Sequence, residues 1–195
     1  MGVLVGLALK AGLDAAYSDA TKSPSLVSLE AFWQVIWSTP SVQLLIFLLT
    51  LVRFVYGAHR VLETLEDSSA TLEWWADLWN ILGLVVLFVF FYMTGLCVPH
   101  PVAFYSGLVA VHTWDFLWFL RFTSSSDALG RELKSAMRRF MWIDSMTVGA
   151  LILIVWPLKN WVVAGGAIVM VLLALVDAVW NYNFLFRTSP RPLGE

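Results

Sequence analysis

Five long apolar segments constrain this chain more than any other feature of its sequence. An α-helix rises about 1.5 Å per residue, so roughly 20 apolar residues cross the hydrocarbon core of a bilayer. Only 13% of the residues are charged and 59% are hydrophobic, which is far from the usual composition of a soluble domain. The sequence therefore predicts an all-α, polytopic membrane helix bundle with five transmembrane helices. The predicted spans run from Ser41 to His59, Trp74 to Thr94, Pro101 to Leu120, Phe140 to Pro157 and Trp161 to Phe184.

The N-terminal forty residues differ from the five apolar segments. Residues 3–17 are apolar but are interrupted by Lys10 and Asp14, whose i,i+4 spacing suits an exposed ion pair, so we expect an interfacial helix. Residues 26–37 are rich in aromatic side chains, as is typical of segments at the headgroup level. The predicted organisation is an N-terminal interfacial segment (1–40), a five-helix transmembrane domain (41–187) and a short cytoplasmic tail (188–195).

The distribution of lysine and arginine predicts the orientation in the membrane. With five spans, eight basic residues lie on one face and three lie on the other. Short loops rich in basic residues stay on the cytoplasmic side. We therefore expect a multi-pass protein of the plasma (inner) membrane, with its N-terminus outside and its C-terminus in the cytoplasm. The net charge of −2 and the lack of a dense basic run argue against nucleic acid as a partner.

Five charged residues lie within the apolar segments, all in the half nearest the cytoplasmic face. A charged side chain in hydrocarbon is costly unless it meets a partner or water, so such residues commonly mark functional sites. Arg53 is the natural counter-ion for one aspartate, because a guanidinium binds a carboxylate bidentately, but one arginine cannot neutralise four carboxylates. We predict an ion-binding polar layer formed by Asp77, Asp115, Asp144, Asp177, Arg53, Asn80 and Asn181.

Spans two and three resemble spans four and five. Each pair opens with a Trp-x-Asp sequence, which ends at Asp77 in the first pair and at Asp144 in the second. Each returning helix carries an Asp-x-x-Trp sequence, which begins at Asp115 and at Asp177. The pattern indicates a candidate tandem hairpin repeat, an arrangement that often builds a site between two related halves. The alternative is that helix ends at one membrane face converge on similar residues.

A basic surface and the scarcity of catalytic motifs complete the prediction. Residues Arg131, Lys134, Arg138 and Arg139 form a basic segment before the fourth span, which suits anionic lipid or a cytoplasmic partner. The sequence contains no Gly-x-Ser-x-Gly, His-Glu-x-x-His or glycine-rich phosphate motif, and its three histidines are scattered. We expect no metal or other cofactor, and we favour a function other than catalysis over an intramembrane hydrolase or transferase.

Two functions follow from these features, beside an interpretation in which the aspartates form only structural salt bridges. The first is an oligomeric cation channel or permeability effector, whose carboxylates concentrate the ion as acidic rings do in cation channels. A five-helix chain is small for a complete pore, so this function predicts a homo-oligomer. The second is a non-conducting membrane scaffold or sensor subunit that recruits a cytoplasmic partner in signalling or defence.

Overall fold

The computed structural model describes residues 2–20, 38–67, 74–125, 131–155, 157 and 162–181, and this part of the chain is all α. It contains six helices and no strand, which confirms the predicted fold class at this level. The predicted headgroup segment 26–37 and the tail 188–195 lie outside the described residues. The helices are α1 (Gly2–Ala20), α2 (Thr39–Asp67), α3 (Trp74–Leu96), α4 (Pro101–Ser125), α5 (Arg131–Val155) and α6 (Val162–Trp180).

Helices α2 to α6 form a closed ring. Each helix from α3 to α6 packs against its neighbour in the chain, most extensively α4 against α5, and α6 packs back against α2. Helix α1 lies outside the ring, against α3 and α2. We call the end of the bundle at which α2 begins the outer end and the opposite end the inner end, after the predicted topology. Because successive helices of the ring are antiparallel, α4 and α6 also begin at the outer end.

Local hydrogen bonds fix where α2 and α4 begin. The Val42 amide donates to the Ser38 carbonyl at 3.0 Å, so Ser38 precedes the first turn of α2 and Pro40 occupies that turn, where no amide hydrogen is needed. A tight turn joins α3 to α4, in which the His100 amide donates to the Cys97 carbonyl and the Phe104 amide donates to the His100 carbonyl, both at 2.8 Å. The short connection holds α3 and α4 together as a hairpin.

Small residues bring α1 close to α3. A Cβ atom added to Gly95 would lie 3.0 Å from the Gly12 backbone nitrogen and 3.2 Å from the Ala8 carbonyl oxygen. Lys10 and Asp14 form an exposed ion pair on another face of α1, as their spacing predicts. The N-terminal helix therefore packs on the outer half of α3 through its small residues, and its interfacial position stays a prediction.

The buried apolar side chains form two clusters that leave a layer between them. The outer cluster is rich in phenylalanine, and the Phe47 and Phe91 rings meet edge to face with their centroids 6.1 Å apart. The inner cluster is smaller, and in it the Phe119 and Phe140 rings stack at 5.6 Å. Polar side chains occupy the layer between the clusters, so this layer is where the fold assembles its charged residues.

Within the residues that the structure describes, two helices are long and apolar enough to cross a bilayer. They are Thr39–His59, with 21 residues and a mean hydropathy of 1.8, and Val162–Trp180, with 19 residues and a mean hydropathy of 2.5. Only 39% and 22% of these segments are buried, whereas the core helix of a soluble protein is mostly buried. Length and composition thus give a weak indication of membrane association, and the arrangement with five spans stays a prediction.

Candidate functional site

Arg53 occupies the centre of the polar layer, in the middle of α2. Its Nε atom donates to Asp177 Oδ2 on α6, and both terminal nitrogens lie 3.4 Å from Asp144 Oδ1 on α5. The Arg53 side chain is 15% exposed and the Asp144 side chain is fully buried. The sequence predicts a single aspartate partner for Arg53, but the guanidinium contacts two, because α5 and α6 both present an aspartate at its depth.

Helix α4 contributes two further side chains to this layer. His112 Nδ1 lies 2.8 Å from Asp144 Oδ1, and the Phe54 ring packs edge-on against the imidazole with centroids 5.3 Å apart. Asp115 follows three residues later, so it lies on the same helix face. Its buried carboxyl group is a near neighbour of the Asp144 carboxyl group and interacts with it electrostatically. Asp144 is therefore shared by Arg53, His112 and Asp115.

A second chain of hydrogen bonds runs from the layer toward the inner end. Asn181 Nδ2 donates to Asp177 Oδ1 at 2.5 Å, and Asn181 Oδ1 accepts from Arg139 Nε at 2.9 Å. Arg139 also donates through Nη1 to Ser135 Oγ at 3.1 Å. The Asn181 amide thus links a guanidinium near the inner end to the buried carboxylate of Asp177.

The charges of the layer do not balance. One guanidinium, that of Arg53, faces the buried carboxyl groups of Asp115, Asp144 and Asp177. The guanidinium of Arg139 donates to an amide oxygen instead of a carboxylate. Burying an ionised carboxylate without a full counter-charge costs several kcal/mol. Among the described residues of the layer, buried carboxyl groups therefore outnumber the guanidinium groups that contact them.

Two cavities flank Arg53. The outer cavity has a volume of about 20 Å³ and its lining includes Thr50, Arg53, His112 and Thr147. The inner cavity, also about 20 Å³, is lined by Arg53 and Asp115 together with side chains of the inner aromatic cluster. A water molecule needs roughly 10–15 Å³ measured in this way, so each cavity has room for about one water.

One polar atom at the outer cavity has no hydrogen-bond partner. His112 lines this cavity, is 1% exposed and leaves Nε2 unpaired, while its Nδ1 atom meets Asp144. The hydroxyl groups of Thr50 and Thr147 donate to the carbonyls of Ile46 and Ile143 in their own helices, each at 2.8 Å. Among the described side chains that line the outer cavity, His112 is therefore the one with a buried polar atom that has no hydrogen-bond partner.

The structure brings most of the predicted polar layer together. Arg53, Asp115, Asp144, Asp177 and Asn181 lie in one connected cluster. The candidate repeat relates Asp115 to Asp177, and both carboxyl groups act electrostatically on Arg53. Three predicted side chains lie outside the described part of the structure, those of Asp77, Asn80 and Arg131.

The basic side chains predicted before the fourth span have different surroundings in the structure. Arg138 is exposed and Lys134 is half-buried in the first turns of α5. Arg139 instead donates to Asn181 and Ser135, so it belongs to the hydrogen-bonded chain that leads to the polar layer. The prediction that Arg139 serves a lipid or a partner protein stays untested, but its guanidinium already has two partners within the chain.

His112 is the member of the cluster that the sequence does not single out. His112 lies in the same half of its predicted span as Asp115, but a lone histidine in an apolar helix is easily taken for packing, and it is not among the predicted ion-binding residues. The spacing of His112 and Asp115 places both on one helix face, one turn apart, which is the available signal.

No protein family model matches this chain, and neither a curated protein nor a solved structure matches it. Within the described residues, no group of three or more histidine, cysteine, aspartate or glutamate side chains is arranged to hold a metal ion. The geometry of the polar layer is therefore the observation that bears on function.

Proposed function

We propose that this chain is a multi-pass protein of the plasma (inner) membrane whose buried acidic layer binds cations and conducts them across the bilayer. In this proposal α2 to α6 are the five spans, the N-terminus is outside and the C-terminus is cytoplasmic. Each of these helices has between 19 and 29 residues, which is enough to cross the hydrocarbon at about 1.5 Å per residue.

The exposed surface of the helices supports the membrane location. Large apolar side chains face outward on each helix of the ring, among them Val52, Val89, Leu117, Leu153 and Val179. Contiguous exposed apolar surface is unusual on soluble monomers and is normal where a helix faces lipid. An apolar surface that faces lipid also explains why so little of α2 and α6 is buried.

The observation that carries the proposal is the charge imbalance around Arg53. Three buried carboxyl groups lie around one guanidinium, which contacts two of them, although replacing buried ion pairs by apolar side chains is often neutral or stabilising. A purely structural role would be served better by apolar packing. Carboxylates in excess of their counter-ions instead suit a site that takes up cations through the small cavities on its two sides.

The test is cation flux through the full-length protein in liposomes, recorded in parallel for Na⁺, K⁺ and H⁺. We expect the Asp115→Asn and Asp177→Asn double variant to lose most of the flux, because asparagine keeps the side-chain volume but removes the charge. Asp14→Asn is the matched control, since Asp14 lies in an exposed ion pair on α1. Flux of all three ions that is unchanged in a well-folded double variant would contradict the proposal.

A non-conducting scaffold or sensor subunit is the second candidate. Arg138 is exposed at the inner end, and the neighbouring Arg139 connects that surface with Asp177 through Asn181. Basic side chains beside a bilayer attract anionic headgroups. If this candidate is correct, Arg138→Glu reduces the retention of phosphatidylserine measured by native mass spectrometry, while wild-type liposomes show no cation flux above empty ones.

A further inference from the structure

We infer that the cation is the proton and that it crosses the polar layer along His112, Asp144 and Asp115. This inference rests on the proposed function and specifies its substrate. It depends on two observations that are independent of the charge imbalance. These are the arrangement of the two ring nitrogens of His112 and the position of Asp115 at the second cavity.

His112 connects the outer cavity with the carboxylate cluster. The side chain lines that cavity and its Nε2 atom has no partner, whereas Nδ1 lies 2.8 Å from Asp144 Oδ1. The imidazole is the one neutral side chain that can accept a proton at one nitrogen and release another proton from the other. A buried imidazole held in this way joins water on one side to an acid on the other.

Asp115 completes the connection toward the inner end. Asp115 lines the inner cavity together with Arg53, and its carboxyl group interacts electrostatically with that of Asp144. His112 and Asp144 are in hydrogen-bond contact, and in this inference the neighbouring carboxyl group of Asp115 connects them to the inner cavity. Each cavity has room for about one water molecule, which can deliver or accept the proton.

The transfer conserves protons and charge at each step. A proton from water in the outer cavity binds His112 Nε2, and the proton on Nδ1 passes to Asp144 Oδ1, which leaves a neutral imidazole. The Asp144 carboxyl group passes a proton to the Asp115 carboxylate, and Asp115 releases it to water in the inner cavity. Rotation of the ring, or exchange of its remaining proton between the two nitrogens through water, restores the starting tautomer.

In this inference, the charge of Arg53 and the small size of the cavities exclude metal cations. Its guanidinium lines both cavities and is held by Asp144 and Asp177, so a fixed positive charge lies beside the whole path. A Na⁺ or K⁺ ion would have to pass this charge and lose most of its hydration shell in cavities with room for about one water. A proton avoids the loss of a hydration shell because it moves along hydrogen bonds, and the carboxylates of Asp144 and Asp177 offset the charge of the guanidinium beside its path.

The test compares proton and Na⁺ flux in the same liposomes, with a K⁺ gradient and valinomycin to drive proton entry. An enclosed pH dye and a Na⁺ dye report the two fluxes. We expect His112→Gln to lower proton flux by about a hundredfold, because positioned proton-transfer groups contribute factors of about this size. The control is His100→Gln, which changes an exposed histidine in the turn before α4 and should leave the flux unchanged.

Asp115→Asn is the second variant and removes the inner step without changing side-chain volume. Loss of proton flux in both variants, with Na⁺ flux at the level of empty liposomes, supports the relay. Proton flux that survives His112→Gln, or that falls equally in His100→Gln, overturns it. Aspartate-dependent Na⁺ or K⁺ flux overturns the proton assignment and leaves the proposed function intact, whereas wild-type protein without flux of any cation contradicts both.

Discussion

The outer cluster and the polar layer hold the same helices together by different means. In the outer cluster, aromatic rings and glycines fit by shape, as where Phe47 meets Phe91 and where Gly166 receives the Tyr105 ring. In the polar layer, Arg53, His112 and three aspartates meet through directed hydrogen bonds and charge. Shape complementarity stabilises a bundle at little risk, whereas buried charges stabilise it only while every partner is present. The proposed function accordingly assigns the polar layer a task other than stability.

Removing Arg53 should have the largest effect on the stability of the polar layer. Arg53→Met leaves three buried carboxyl groups without their shared counter-ion, and loss of one partner from a buried charged network costs about 3–5 kcal/mol. We expect a decrease of this size in the free energy of unfolding, measured by reversible denaturation in mixed micelles. A decrease below about 1 kcal/mol would mean that the carboxyl groups reach water and that the layer is not buried as described.

Adding apolar partners should reverse much of that loss. In a triple variant, Arg53→Met is combined with Asp144→Leu and Asp177→Leu, so the salt bridges become apolar contacts between the same helices. Buried ion pairs replaced in this way often keep or gain stability, by about 1–4 kcal/mol. We expect the triple variant to unfold with a higher free energy than Arg53→Met alone while cation flux is lost. A triple variant less stable than the single one would show that the layer itself stabilises the fold.

The sequence predicts which charged residues matter but not how they pair. Charges within apolar segments are visible directly in the sequence, so Arg53, Asp115, Asp144 and Asp177 can be selected from it alone. Their partners depend on how each helix rotates about its axis and on which helices are neighbours in the ring. For this reason the sequence predicts one aspartate partner for Arg53, whereas the guanidinium contacts both Asp144 on α5 and Asp177 on α6.

The contact partners of Arg139 and α1 are likewise not predicted by the sequence. Arg139 belongs to a basic segment that predicts a lipid or protein partner, yet its position on α5 turns it toward Asn181. Lys10 and Asp14 predict the exposed face of α1, but the pattern of small residues around Gly12 does not say that α3 packs there. Residue type predicts burial and chemistry, whereas the contact partner depends on tertiary packing.

Two glycines in the outer half of the bundle test whether its side chains are closely packed. A Cβ atom at Gly166 would overlap the Tyr105 ring, whereas one at Gly149 would meet no atom within 4 Å. Overpacking a well-filled core costs about 1–3 kcal/mol. We therefore expect Gly166→Ala to lower the free energy of unfolding by this amount. Gly149→Ala should be neutral or stabilising by up to about 1 kcal/mol, because alanine favours the helix. Equal effects in both variants would contradict the close contact with Tyr105.

The smallest expected effect concerns the chain of hydrogen bonds from Arg139 to the polar layer. Arg139→Gln removes the donor to Asn181 Oδ1 and weakens the anchoring of Asn181 against Asp177. A single hydrogen bond contributes about 0.5–1.5 kcal/mol, or somewhat more when one partner is charged. Arg138→Gln is the matched control at an exposed position, where changes usually stay within about 0.5 kcal/mol. If the two variants reduce stability equally, the Arg139 contact contributes nothing and the inner end is uncoupled from the layer. If only Arg139→Gln does so, and it also shifts cation flux, the hydrogen bonds connect the surface at the inner end with the buried charges.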